Sequence, residues 1–354
     1  MTPLRILVSA AVAVAVCLPH GPASARPAVE TDDAGRHVAV PARPMRVFPA
    51  GAPAAILLYT LAPELMLGWT RALTPEERRF VKEPFGDLPE LGRLTGRGNS
   101  ANVEEVLKRR ADLILDLGST RATFAQLADQ VQAQTGVPVL LLDGRMAALP
   151  TAYRRLGRIL GVGARAEQLA AEFEARLGEI DRAVSALPPE RRPLVYYGRG
   201  PDGLETGGTG SINAELIEVA GGRNVAGEGI GRGNLFRASV EQILAWRPEV
   251  VLALDPAFAA AARAEPTWRS VPAVRSGQVY QVPRLPFGWF DFPPSANRLL
   301  GAIWLSRLLH PDLFADDAAA ASRAFFALFY QRPLTDAEAA ELLAGAAPAR
   351  RARR

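Results

Sequence analysis

The motif Gly198-Arg-Gly-Pro-Asp-Gly203, directly after the apolar run 194–197, has the G-x-G-x-x-G spacing of a loop that cradles a dinucleotide pyrophosphate. That chemistry also needs a helix to open within the glycines, so that its amides face the phosphates. Here Pro201 and the following Leu-Glu-Thr-Gly-Gly postpone the helix to about Ser211, and a nicotinamide- or flavin-dependent enzyme is carried only as an alternative. The histidines are His20, His37 and His310, no pair has ligand spacing, and no directly bound metal or other cofactor is expected. His310 is expected to complement the dipole at a helix end. There is no G-x-S-x-G elbow, so no hydrolase triad and no catalytic residue is assigned.

Two arginines stand on loops just after expected strands. Arg199 is assigned to a ligand cleft, where a guanidinium clamps an anion through paired hydrogen bonds; Arg121 is either a second clamp or a solvated loop charge. Ser119, Thr120 and Gly200 share these loops. Gly51, Ala52 and Pro53 form a further candidate loop, whose amides open the helix that follows. Trp289 and Phe290, held between Gly288 and Pro293-Pro294, are expected to line the cleft rather than the core.

These groups need elements to hold them, and the chain supplies two matched sets. Ala101-Asn-Val-Glu-Glu-Val-Leu-Lys-Arg-Arg-Ala-Asp-Leu-Ile-Leu115 and Ala238-Ser-Val-Glu-Gln-Ile-Leu-Ala-Trp-Arg-Pro-Glu-Val-Val-Leu252 each describe a capped helix feeding a buried strand. Asn102 with Glu105, and Ser239 with Gln242, have capping-box spacing. Glu104 and Glu241 occupy the same place in each copy. The dipole favours an acid there, but the capping role belongs to the next residue, so these two acids are expected to point outward.

Around the repeat, strands are expected at 46–48, 65–70, 137–142, 194–197 and 278–282. Helices are expected at 54–61, 75–81, 123–135, 211–220 and 295–309. Residues 165–186 carry Leu169, Ala170, Phe173, Leu177 and Ile180 at helical spacing, which makes one long connecting helix. The resulting division is an N-terminal α/β lobe at 26–163, the connector at 164–187, a C-terminal α/β lobe at 188–314, a helical extension at 315–345 and a disordered basic tail at 346–354.

The 354 residues are enough for about two domains. The formal charge of +4 includes Arg5 and the terminal Arg350, Arg351, Arg353 and Arg354, which leaves the body near neutral and argues against nucleic acid. Arg5, the apolar stretch 6–18 and Ala23-Ser24-Ala25 have the layout of a signal peptide cleaved near Ala25, in a chain with no stable membrane insertion. Cys17, the only cysteine, raises a lipid anchor, but Val16 before it argues against one.

From about residue 31 to 314 the chain resembles the periplasmic substrate-binding proteins of ABC importers for iron-siderophore complexes, cobalamin, haem and related metal chelates. The resemblance is carried by Arg46-Val-Phe48, by both repeat copies, by Gly210-Ser-Ile-Asn-Ala-Glu-Leu-Ile-Glu-Val-Ala-Gly-Gly-Arg-Asn-Val225 and by Val271-Pro-Ala-Val-Arg-Ser-Gly-Gln-Val-Tyr280. It implies an α/β fold of two Rossmann-like lobes with parallel central sheets, joined by one long α-helix and closing on a ligand with little hinge motion. It implies a periplasmic monomer that is not an enzyme and that docks Glu104 and Glu241 onto arginines of an ABC permease dimer. Gly288-Trp-Phe-Asp-Phe-Pro-Pro-Ser-Ala-Asn-Arg-Leu-Leu-Gly301 resembles a branch of iron-complex binders related to molybdate and tungstate binders. The ligand this implies first is an iron-siderophore or related metal chelate captured between the lobes, which would use Trp289, Phe290 and a wide cleft, with a molybdate or tungstate oxyanion, cobalamin or haem as alternatives. An oxyanion would use Ser119, Thr120, Arg199 and backbone amides in a small one. A cell-surface adhesion or scaffolding module, with Trp289 packed away, is the remaining alternative.

Overall fold

The computed structural model describes residues 27–95, 103–227, 233–314, 316–344 and 346. The signal segment, Cys17, Asn102 and residues 347–354 of the tail lie outside them.

An antiparallel hairpin, β1 (Ala28–Thr31) with β2 (His37–Val40), precedes the first lobe. That lobe runs β3 (Val47–Pro49), α1 (Ala52–Leu61), α2 (Pro75–Arg78), α3 (Val103–Lys108), β4 (Leu113–Gly118), α4 (Ala122–Thr135), β5 (Val139–Asp143) and α5 (Leu149–Leu160). Then α6 (Gly163–Val184) leads to β6 (Leu194–Gly198), β7 (Glu205–Gly207), α7 (Leu216–Val219), β8 (Arg223–Asn224) and β9 (Leu235–Arg237). The second lobe continues through α8 (Val240–Trp246), β10 (Val250–Ala253), α9 (Pro256–Ala264), α10 (Pro272–Arg275), β11 (Val279–Gln281) and α11 (Arg298–Leu309). Two further helices, α12 (Ala318–Leu328) and α13 (Asp336–Leu343), end the described chain.

The two lobes share one strand order. The second sheet is β11-β10-β6-β8, all parallel. The first is β5-β4-β3, also parallel, and Val47 of β3 bridges on to Met66 in the place that β8 takes beside β6. In both lobes the chain therefore goes from its first strand to one side and then crosses to the other. The crossing creates a crevice beyond the carboxyl ends of β3 and β4, and another beyond β6 and β10.

Strand periodicity distributes the core. Leu113, Leu115 and Leu117 face a large apolar cluster that continues through Leu169 and Phe173 of α6 to Val195 and Leu252 in the other lobe. Ile114 faces the opposite way, with Phe48 and Val139, while Tyr196, Val251 and Phe258 form the matching outer layer of the second lobe. The stripe expected on the connector is in place: Leu169, Ala170, Phe173 and Ile180 of α6 are buried. Gly136 and Gly161 end α4 and α5 in the left-handed conformation that favours glycine.

Three expectations change. Residues 65–70 form isolated parallel bridges at Met66 and Trp69 rather than a strand, because Met66 pairs with Val47 and Trp69 with Glu90, so neither bridge extends into a ladder. The helix expected over 211–220 is a run of turns followed by the four-residue α7. The long glycine loop after β6 contains β7, which pairs antiparallel with β9.

The C-terminal extension is well packed. Phe325, Phe326, Phe329 and Tyr330 enter the main cluster, Tyr59 donates to the Tyr330 carbonyl at 2.8 Å, and Phe80 meets Phe326 edge-on. Arg165 of α6 donates to the Leu328 carbonyl at 2.5 Å. The two C-terminal helices thus complete the core of the first lobe.

Candidate ligand-binding cleft

On the first lobe, Gly51 ends the β3 loop as the N-cap of α1, and Arg121 does the same for α4 after Gly118-Ser119-Thr120. Neither helix has a side-chain cap or an acid in its own first turn, so the free first-turn amides, fewer in α1 because Pro53 has no N–H, and the positive dipole ends lie at the strand ends. Gly51 is confined: a β-carbon there would lie 3.0 Å from Thr95 Oγ1 and 3.7 Å from Asp116 Oδ1. Above Gly118 the space is open.

Asp116 is a buried acid at this edge that the sequence pattern did not single out. It lies on β4, 5% exposed, accepting hydrogen bonds from Thr95 Oγ1 at 3.1 Å and from the Leu117 amide at 2.9 Å. Burial pushes its carboxyl up to about 6, although both hydrogen bonds act the other way. The signal available in sequence was an acid near the carboxyl end of the apolar run Leu-Ile-Leu-Asp-Leu, where only a polar task explains it.

On the second lobe, Arg199 follows β6 as expected, yet its charge is already occupied. It donates to Glu205 at 2.7 Å and lies 3.0 Å from Asp291, and it is 7% exposed. Arg199 Nε and Asp291 Oδ2 face each other without hydrogen-bond alignment, so their attraction is chiefly Coulombic. Burial raises the Asp291 carboxyl, with Arg199 opposing, and Tyr197 donates its hydroxyl to Asp291 at 2.5 Å. Arg199 is therefore corrected from an available anion clamp to the centre of a buried ion-pair network.

Trp289 and Phe290 are also corrected. Trp289 is 1% exposed and donates its indole N–H to the Leu285 carbonyl at 2.9 Å; Phe290 is fully buried, its ring 4.2 Å from that of Tyr197. They are core residues because the α11 helix packs directly on them. Gly301 has no room for a β-carbon against the Trp289 carbonyl. The ring that reaches solvent is Phe292, 63% exposed.

The lobes meet across the strand ends. Arg121 donates to Asn234 Oδ1 at 3.0 Å, and Ser295 donates to the Pro53 carbonyl at 2.7 Å. Arg298, fully buried, donates to the Ile212 carbonyl at 2.9 Å, to Glu215 and to the Gly144 carbonyl of the first lobe. Glu215 also accepts from the Met146 amide at 3.0 Å. Two surface cavities, of about 320 Å³ beside Glu190 and Glu249 and about 130 Å³ beside Arg284 and Glu341, lie away from this seam.

Of the residues expected in the site, Gly51, Ala52, Pro53, Ser119, Thr120 and Arg121 are gathered along the carboxyl edge of the first sheet. Gly200 belongs instead to a tight turn, with the Gly203 amide donating back to its carbonyl at 3.1 Å. Gly198 and Gly203 are glycines because Phe258 lies against both, which explains the G-x-G-x-x-G spacing without a phosphate. β7, not a helix, follows. His310 does end a helix, but as a buried group beside the Gly221 carbonyl, and burial lowers its pKa. Glu104 and Glu241 are exposed in the first turns of α3 and α8, and the Ser239–Gln242 capping box is formed. Glu105 bonds to Arg109 at 2.7 Å.

Residues 67–285 match the family described as Periplasmic binding protein, a span of more than half of the chain. The chain belongs to that family. Periplasmic binding proteins of this type bind small ligands and deliver them to ABC permeases, and the chain is accordingly not an enzyme. The Haemophilus influenzae protein named Molybdate-binding protein MolA is 26% identical over 258 residues, covering 64% of this chain and 70% of its own length. A Halobacterium salinarum Cobalamin-binding protein is 30% identical over 200 residues, covering 53% of this chain and 51% of its own. A solved ABC transporter solute binding protein from Sulfurospirillum deleyianum superposes with a TM-score of 0.80 at 27% identity, over 89% of this chain and 99% of its own. The family is extracytoplasmic, and among the described residues no helix is long and apolar enough to cross a membrane. Trp289 is packed, as the adhesion alternative required, but a packed ring is equally compatible with a binding protein whose ligand lies elsewhere.

Proposed function

We propose that the chain is the periplasmic receptor of an ABC importer for a compact anion of the oxyanion class, held between the starts of α1 and α4 and the loop at Asn234. The observation that carries this reading is the pair of uncapped helix starts beside the open space over Gly118, with Arg121 spanning to Asn234 at the margin. Contacts on both sides of that space, at Pro53 and Gly144, favour a small ligand over a bulky chelate. In this reading a signal peptide is removed near Ala25, the mature chain is a monomer, and Glu104 and Glu241 dock onto the permease.

The test is calorimetry of the purified mature protein against molybdate, tungstate, ferric siderophores, haem and cobalamin. Saturable binding of an oxyanion is expected, and binding confined to a chelate would overturn the reading. A metal chelate is retained as the second reading because Phe292, exposed beside Asp291, offers an aromatic face to an organic ligand.

A further inference from the structure

The first turn of α11 and the residues just before it cross the carboxyl edge of the other lobe's sheet. Ser295 bonds to Pro53, beyond β3, and Arg298 bonds to Gly144, beyond β5. β4 lies between β3 and β5, so the anchors stand on either side of its carboxyl end. The end of β4, residues 118–121, is the opening that they frame.

This strap is fixed at several points. Arg298 is fully buried and is held in its own lobe by the Ile212 carbonyl and Glu215. Glu215 reaches the first lobe as well, through the Met146 amide. A β-carbon on Gly144 would lie 3.1 Å from Ile212 Cδ1 of the second lobe, so the two lobes are already in close contact there. The absence of space between Gly301 and the Trp289 carbonyl prevents α11 from sliding along its axis.

We propose that Ser295, Arg298 and Glu215 are positioning residues that set the width of the opening at residues 118–121 and so select ligands by size. The size selection rests on the reading of the cleft as a ligand site; the setting of the width does not. A fully buried guanidinium paired with a half-buried carboxylate, both tied to backbone groups of the first lobe, has few alternative arrangements, which suits it to fixing one geometry.

The experiment uses the mature chain, which begins after Cys17, with spin labels at Lys108→Cys and Ala245→Cys, exposed positions on α3 and α8. Pulsed EPR then reports the separation of the lobes without any ligand. The labelled parent is expected to give one narrow distance distribution. Arg298→Lys, Glu215→Gln and Ser295→Ala are each expected to broaden it, and to raise affinity for ferrioxamine B relative to molybdate by about tenfold. An unchanged distribution in folded variants overturns the proposal, as does a broadened one with unchanged relative affinity. If Arg298→Lys does not fold, the smaller changes Glu215→Gln and Ser295→Ala decide it. If the parent binds neither probe, the proposed function fails and size selection fails with it, while the distance distributions still test the setting of the width.

Discussion

Arg110 and Arg247 adopt the same left-handed backbone conformation, φ 49° and 50°, just past the ends of α3 and α8. The sequence repeat thus extends to a conformation that L-residues other than glycine rarely adopt. Arg46 donates to the Arg110 carbonyl at 3.0 Å and also bonds the Arg109 carbonyl, so the first of these turns is held from outside its own segment.

Replacing either arginine by glycine relieves backbone strain at some cost in chain entropy, with a net gain of up to about 1 kcal/mol expected. Urea unfolding of Arg110→Gly and Arg247→Gly is the check, with Arg110→Ala as the control that gains nothing. Lower stability in both glycine variants would mean that the arginine side chains outweigh the strain.

Asp116 gives a pH dependence with a defined sign. Its carboxyl is raised to about 6 in the folded chain, from the ordinary aspartate value of 3.8. The folded state therefore takes up this proton first as the pH falls, and the stability penalty of the buried carboxylate, present above pH 6, is removed between about pH 6 and 4. Two pKa units correspond to about 3 kcal/mol. Asp116→Asn keeps an acceptor for Thr95 and Leu117 and is expected to flatten the stability profile across that window. Chemical denaturation at pH 4, 5, 6 and 7 measures it, and a profile as steep as the parent's would place the effect on another group.

Glu104→Arg together with Glu241→Arg should abolish ligand uptake in cells while leaving affinity of the purified protein within about twofold, because both residues are exposed on α3 and α8, away from the strand ends. Transport assays beside calorimetry separate the two effects. Lost affinity would remove the docking assignment.

Phe329 stacks on Phe325 at 4.5 Å and meets Tyr153 of the first lobe and Phe173 of the connecting helix α6. Phe329→Ala is expected to cost about 3–5 kcal/mol, since the cavity opens in the main cluster. Thermal unfolding checks it, and a cost below about 1 kcal/mol would mean that the extension contributes little to the core.

Regular periodicity made much of the fold legible in the sequence. Leu169, Ala170, Phe173 and Ile180 fixed the face of α6, and Ser239 with Gln242 marked the start of α8. The site was harder, because irregular loops carry no period. Trp289 and Phe290 are buried while Phe292, two residues beyond Phe290, is exposed, and nothing in their side-chain chemistry distinguishes these positions. Arg199 was placed on the right loop, but its partners Glu205 and Asp291 come from a hairpin and a segment 92 positions later in the numbering. β7 and β9 were hidden among glycines, where β-propensity is weak.

The packing of Tyr330 against Tyr59 has a consequence for biogenesis. These residues stand 271 positions apart, and the carbonyl of one accepts the hydroxyl of the other inside the core of the first lobe. A chain made from its amino end exposes Tyr59, Phe80 and Tyr153 long before Phe325, Phe326 and Tyr330 exist to cover them. The first lobe to emerge is therefore the last to be finished, and until synthesis ends it presents an uncovered aromatic surface that a chaperone can hold.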